Sequence, residues 1–267
     1  MCHALSVSTS GYYAWAARPE SARVIGDRRL AVLIEASHTT SRGRYGSPRV
    51  HRDLMAQGVQ VSRKRVVRLM QASGLAGRVR RRYVRTTEIG DRPPVAENLL
   101  ARDFSATVPN QRWTGDVTYL RTPAGWLFLP ILLDLYSRII VGWATCAVND
   151  HRLALRALDQ AVRRRRPVRG LVHHTDQGSP YASDAYQAAL TDNGMVCSMS
   201  RRGNCHDNAV TETWFGTLKA ELGEAFESHA DANRQLFEYI EQFYNGTRRH
   251  SAIGYLSPRD FERRPIA

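Results

Sequence analysis

The stretch Arg112-Trp113-Thr114-Gly115-Asp116-Val117-Thr118-Tyr119-Leu120 decides how the chain is read. It is rich in β-branched and aromatic residues, which favour a strand. Strand alternation places Thr114, Asp116 and Thr118 on one face. Two more runs follow at short intervals, Trp126–Leu135 and Arg138–Val148, and gaps this short predict an antiparallel meander. Pro130 lacks the N–H that a central strand uses, so it predicts an edge position or a bulge.

Beyond the meander the pattern changes to α and β in turn. A helix is expected over His151–Arg165, a fourth strand over Gly170–Thr175, a capped helix over Ser183–Asp192 ended by Gly194, and a fifth strand over Met195–Ser200. Two further helices are expected at Asp207–Leu222 and Ala230–Phe243. The order β-β-β-α-β-α-β-α is that of a ribonuclease-H-like α/β layer, a mixed five-stranded sheet flanked by helices.

Two other acids complement Asp116. Asp176 ends the run Leu171–Asp176, beside the turn Gln177-Gly178-Ser179-Pro180, and the junction of strand and loop is where a sheet exposes functional groups. Glu212 follows after 35 intervening residues, within the helix that opens at Asp207-Asn208. Trp214, Leu218 and Leu222 form its core stripe, while Glu212, Phe215 and Lys219 lie on another face. Lys219 is two turns beyond Glu212, about 10 Å along the helix, where it can hold a phosphate. Three carboxylates suit a pair of hard divalent cations about 3.5–4 Å apart, an arrangement that serves in-line displacement at phosphorus. Taken singly, each acid reads first as a surface or capping residue; Asp207 is read as an N-cap.

Composition points to a soluble globular protein of 267 residues with 43% hydrophobic content and a mean hydropathy of −0.41. The net charge is +13. Residues 1–100 carry 18 Lys/Arg against 7 Asp/Glu, and residues 101–267 carry 20 against 18. This asymmetry predicts a polyanion-binding front attached to a nearly neutral body, although an Arg-rich composition also follows from a GC-rich genome. Cys2, Cys146, Cys197 and Cys205 form no C-x-x-C pair, so a zinc ribbon is not expected and a reducing cytoplasm is. No signal peptide is expected, and Trp126–Leu133 is too short an apolar run to span a bilayer.

The basic front reads as helical. Tyr12–Trp15 suits a short helix after a turn at Ser8–Gly11, with too little chain before it for a complete helix-turn-helix. Three helices are expected over residues 27–77: Asp27–Ser37, a second capped by Ser47 with Pro48 in its first turn, and a third over Arg63–Ala72 capped by Ser62. Arg63, Lys64 and Arg65 crowd the start of the third, with Arg68 following, against the helix dipole. A DNA backbone would supply the missing counter-charge; an ordinary solvated face is the alternative. Arg78–Arg82 and Asp91–Pro94 mark a basic, Pro-containing linker. The expected boundaries are 1–77 for the helical module, 78–109 for the linker, 110–225 for the catalytic core and 226–267 for a helical extension.

Several motifs carry a resemblance. Trp113–Tyr119, His174–Ser179, Asp207–Glu221 and Tyr244–Pro258, with Arg44–Arg49 and the Arg65–Leu75 run, resemble the OrfB subunit of insertion sequence 3 family transposases, whose catalytic core is similar to that of retroviral integrases. The resemblance spans nearly the whole chain. It implies Asp116, Asp176 and Glu212 as catalytic metal ligands for two Mg²⁺ or Mn²⁺ ions. Water and then a DNA 3′-OH would be the nucleophiles, with no covalent enzyme–DNA link. It also implies double-stranded DNA as partner, an upstream OrfA frame or fusion, a homo-oligomer on DNA, and a bacterial cytoplasmic, nucleoid-associated location. Arg201 and Arg202 are expected in a DNA-contacting loop. Arg248, Arg249 and His250 either reach DNA or pin the last segment to the core. His173 and His174 either orient substrate or pack, and Arg163–Arg166 either touch DNA or serve a helix C-terminus. A nuclease of ribonuclease-H type without strand joining, and a helix-turn-helix repressor, are the rival readings.

Overall fold

A computed structural model describes residues 2, 5–79, 96–201, 205–223 and 226–264, with Cys205 by its backbone alone. The chain divides into two compact units, 1–78 and 79–267. Arg80–Arg82 and the Asp91–Pro94 segment lie outside the described residues, as does Arg202.

The first unit is helical, with α1 (Thr9–Ala16), α2 (Ala22–Thr40), α3 (Ser47–Ala56) and α4 (Arg63–Ala72). Helix α1 begins inside the expected turn because the Ser8 side chain accepts from the Gly11 N–H. Helix α2 starts earlier than its apolar spacing suggests because Ser21 caps it by accepting from the Val24 N–H. Ser47 is not a cap. Gly46 takes that position without a side-chain bond, and Pro48 sits in the first turn. Helix α4 has the expected bounds, with Ser62 accepting from the Arg65 N–H. Leu30, Ile34, Val50, Leu54, Val66, Leu69 and Met70 are buried in this unit.

The second unit holds a five-stranded sheet in the order β3-β2-β1-β4-β5. The strands are β1 (Arg112–Thr122), β2 (Gly125–Asp134), β3 (Ile140–Trp143), β4 (Val172–Thr175) and β5 (Val196–Met199). The β1–β2 and β2–β3 pairs are antiparallel; β1–β4 and β4–β5 are parallel. The third strand is much shorter than expected. The carboxylate of Asp134 accepts from the Tyr136 N–H and Arg138 adopts a positive φ, so the chain turns before pairing resumes. After Trp143 only the Phe128–Cys146 bridge continues the ladder. Pro130 lies in β2, an interior strand, which corrects the edge expectation. It pairs with Val117 where the β3 ladder has already stopped at Ile131–Trp143, so the absent N–H falls in a gap between regular pairs.

Helices cover both faces. On one, α5 (His151–Arg165) and α6 (Asp184–Asp192) bury Trp113, Leu132, Val141, Leu158 and Leu190. Gly142 is required there, since a Cβ would stand 2.2 Å from the Ala157 carbonyl oxygen. The other face packs Leu120, Leu129, Ile131 and Leu133 against Trp214 and Leu218 of α7 (Ala209–Leu222) and Leu236 of α8 (His229–Phe237). The helix expected at Ala230–Phe243 is not uniform: α8 passes into a π-helical segment, Glu238–Tyr244. Its Tyr239, Ile240 and Tyr244 join the same core, and a short α9 (Pro258–Glu262) follows. Among the described residues, no helix is long and apolar enough to cross a membrane.

Candidate active site

The register of β1 on β4 brings two of the predicted acids together. Arg112 pairs with Val172, Trp113 with His173 and Thr114 with His174. Continued for two residues, the same register sets Asp176 opposite Asp116, one strand spacing of about 4.8 Å away. Strand β4 ends at Thr175, and Asp176 begins the loop. Its Oδ1 accepts from the Gly178 N–H at 2.9 Å, and a Cβ on Gly178 would press on that same oxygen. Asp116 Oδ1 accepts from the Val117 N–H at 2.7 Å.

Glu212 comes from α7, and three contacts fix that helix along β1. Asn208 donates from Nδ2 to the Gly115 carbonyl at 3.2 Å, and the Thr211 and Thr114 hydroxyls share a hydrogen bond of 2.8 Å. Further on, the Lys219 ammonium lies 5.0 Å from the centre of the Tyr119 ring. Helix and strand therefore run in the same direction, and Glu212 falls beside the residues that flank Asp116. Thr114 and Thr118 are buried and Glu212 is exposed.

The Asp116 carboxyl is pushed well above the usual carboxylate range, first by burial, then by the charge of Asp176, with Glu212 adding to it. Burial also raises Asp176, against the opposing bond from Gly178. Among the described residues, no three His, Cys, Asp or Glu side chains converge tightly enough to hold an ion as they stand. The like charges of the three acids nevertheless act on one another, since Asp176 and Glu212 both raise Asp116.

Other predicted residues have different partners. The two histidines pack: His173 bonds Tyr186 Oη at 2.8 Å, and His174 bonds the hydroxyls of Ser198 and Ser200 at 2.8 and 3.1 Å. Asp207 is not the N-cap, a position held by Asn208. Its buried carboxylate accepts from Asn98, from Arg102, and from the backbone and guanidinium of Arg201. The Arg201 bonds come first in holding it far below the usual carboxylate range. Arg201 is thus tied to Asp207, with its side chain 58% exposed. Arg248 takes the second of its two expected roles. It is buried and paired in two bonds with buried Glu221, at 2.8 and 2.7 Å, and therefore pins the last segment to the core. It also contacts His250 at 3.0 Å, while Arg249 donates to the Tyr255 carbonyl. Arg163, Arg164 and Arg165 pair with Asp159, Glu241 and Glu262. In the first unit Arg65 and Arg68 both pair with Asp27, at 2.7 and 2.6 Å, so part of the counter-charge at α4 is supplied by α2. Arg63 and Lys64 are exposed, and Arg23, Ser62, Lys64, Arg65 and Arg68 line a basic recess of about 440 Å³.

Residues 106–205 and 193–258 each match an integrase core domain, and residues 26–83 match an HTH-like domain. The chain is 41% identical over 271 residues to the transposase InsF for insertion sequence IS3A of Escherichia coli (strain K12), covering all of this chain and 94% of that relative. The chain belongs to the insertion sequence 3 family of transposases. It is a DDE transposase with an integrase catalytic core, of the polynucleotidyl transferase class. The relatives leave the nuclease and repressor readings without support.

The fold of the transposase is shared with integrases. It matches a chain of the simian T-cell lymphotropic virus intasome in complex with PP2A regulatory subunit B56 gamma at a TM-score of 0.51 and 14% identity, covering 87% of this chain and 75% of that one. The HTLV-2 integrase catalytic core domain in complex with magnesium is 17% identical at a TM-score of 0.46, over 58% of this chain and 97% of that one. The site of the transposase also includes residues that the sequence did not single out. Asn208 and Thr211 fix α7. The buried Tyr181 hydroxyl has no partner among the described residues, and its pKa is driven up by burial, then Tyr186, Asp116 and Asp176. Amide and hydroxyl side chains carry no periodicity of their own along a sequence, so spacing alone does not assign these three their contacts.

Proposed function

We infer that Asp116, Asp176 and Glu212 are the catalytic residues and hold two divalent cations, Mg²⁺ or Mn²⁺, for DNA 3′-end cleavage and strand transfer. The β1–β4 register that sets Asp176 opposite Asp116 carries this reading. The donor set fits a hard cation: the ligands are all carboxylate oxygens, and on both Asp116 and Asp176 only Oδ1 is engaged by a protein donor among the described residues. When bound, such cations supply Lewis-acid polarisation of the scissile phosphate and a lowered pKa for the attacking hydroxyl.

The protein's own groups do the rest. Backbone N–H groups of Val117 and Gly178 aim the two aspartates. Asn208 and Thr211 hold α7 so that Glu212 faces them. Lys219, on the same helix, is positioned for a phosphate beyond the reacting one. Duplex DNA also meets the exposed cations of the first unit, Arg63 and Lys64 foremost, with Arg65 and Arg68 beside the recess. Arg201, Arg202, Arg249 and His250 are secondary DNA contacts in this reading. An OrfA partner or fusion, a homo-oligomer that brings two DNA ends together, and a bacterial cytoplasmic location complete it.

The test is strand cleavage and joining on DNA that carries the element's ends, with Mg²⁺ present. Asp116→Asn, Asp176→Asn and Glu212→Gln should each abolish both steps and keep DNA affinity. Near-normal joining by any of the three removes that residue from the site.

A further inference from the structure

The hairpin of β1 and β2 extends past the site and ends in two large aromatic side chains with no place in either core. Trp126 is 50% exposed and Tyr119 is 37% exposed. Their rings meet edge to face, with centroids 5.0 Å apart at 81°. Lys219 lies over the Tyr119 ring, and exposed Arg121 stands opposite Trp126 in the strand register. Strand β4 pairs with β1 only as far as Thr114, so among the described residues the β1 edge beyond Asp116 has no strand beside it. Tyr119 is three residues past Asp116, about 10 Å along the strand and on the alternate face; Lys219, on the helix of Glu212, links its ring to the site.

We propose that Trp126, braced by Tyr119 and flanked by Lys219 and Arg121, is a stacking site for one unpaired nucleobase of the DNA strand that enters the active site. The proposal rests on the reading of Asp116 as catalytic only for its distance scale. A flat indole face accepts any base, because every base presents a π-face. Two cations beside it match the phosphates that precede and follow that base. A paired base inside a duplex has both faces covered by its neighbours, so the site selects a base freed from its partner next to the cleavage point. The rival role is a diagonal aromatic pair that only stiffens the hairpin, a modest contribution to stability.

The experiment uses the full chain and two DNA probes: a blunt duplex, and the same duplex with a short single-stranded extension bearing 2-aminopurine at successive positions. Wild-type protein should quench the probe strongly at one position. Trp126→Ala should abolish that quenching and weaken binding of the extended duplex by about tenfold or more, with blunt-duplex affinity unchanged. Trp126→Phe should restore most of both, which guards against a folding defect. Asp116→Asn should keep the quenching, so a failed catalytic assignment would leave this result intact. Position-independent quenching, or a Trp126→Ala protein whose affinities for the two probes fall equally or not at all, would overturn the proposal.

Discussion

The Thr114 and Thr211 hydroxyls share a 2.8 Å hydrogen bond in the interior, one from the strand that carries Asp116 and one from the helix that carries Glu212. Each lies within two residues of its acid, so this bond ties strand to helix close to both carboxylates. Thr211 also bonds Asn208 Oδ1 at 2.8 Å, which in turn positions the amide that reaches the Gly115 carbonyl. Thr114→Val keeps the shape and removes the partner. It should cost about 0.5–1.5 kcal/mol of stability, the net worth of one hydrogen bond, because the Thr211 hydroxyl keeps its bond to Asn208. Small displacements of a reacting group are expensive, so strand cleavage should fall by about ten- to a hundredfold while DNA affinity holds. Cleavage at the wild-type rate by a stably folded Thr114→Val protein would show that α7 is located by its apolar packing alone.

The raised carboxyls of Asp116 and Asp176 make a prediction about metal and pH. An acid whose pKa is higher in the folded state is ionised there at a cost, and that cost disappears as pH falls through the folded value. The metal-free protein therefore carries this penalty at neutral and alkaline pH. Added Mg²⁺ offsets it, because a ligand for the native state stabilises by about 2.7 kcal/mol at a hundred times its dissociation constant. Melting temperature should rise with Mg²⁺ at pH 8, and the rise should shrink as the solution is acidified and protons compete for the carboxylates. Asp116→Asn should melt no lower than wild type without metal and lose the Mg²⁺ response. A response that survives in that variant would move the ion elsewhere.

The sheet was legible in the sequence because its signals are local. Arg112–Thr122 is dense in β-branched and aromatic residues, and the caps at Ser62 and Ser183 mark helix starts that the structure reproduces. What escaped was set by partners remote in sequence. Pro130 reads as an edge residue, yet the fold tolerates it inside the sheet because a neighbouring strand ends early. Arg248 lies in a run of three cationic or titratable side chains and reads equally as a DNA contact, until Glu221 is found buried beside it, 27 residues earlier in the chain. Asp207 reads as a cap from its position at a helix start, whereas three side chains from two other segments, Asn98 and Arg102 from one and Arg201 from the other, converge on its carboxylate. The acids themselves were found by type and spacing; their juxtaposition depends on a register that no local pattern encodes.

His173 and His174 should make the fold sensitive to acid. Burial, then the neighbouring His174, hold His173 down to about 3, and burial holds His174 down to about 4, partly offset by Asp207. An unfolded histidine titrates near 6.5, so between that value and the folded ones the unfolded chain binds more protons. Stability from these two groups is complete above about pH 6.5 and is lost as pH falls below it. Each steepens the decline by up to about 1.4 kcal/mol per pH unit. His173→Gln retains a polar group for Tyr186 and cannot titrate, so its thermal stability should fall less steeply from pH 6.5 to 4.5. Equal slopes for wild type and variant would mean that other groups set the acid limit.

The Glu221–Arg248 pair provides a test that separates folding from DNA binding. Both side chains are almost wholly enclosed, and Tyr239 Oη donates to Glu221 Oε2 at 2.9 Å, so the pair sits where the last segment meets the core. Removing one partner leaves a buried charge without compensation, which typically costs about 3–5 kcal/mol. Glu221→Gln should therefore lower the melting temperature sharply, and Arg248→Met should do the same by stranding the carboxylate. The double change to Gln and Met removes both charges and should recover part of the loss. DNA affinity of the folded fraction, measured well below the melting temperature, should match wild type in every case. A Arg248→Met protein that melts normally but binds DNA poorly would instead place this guanidinium on the nucleic acid.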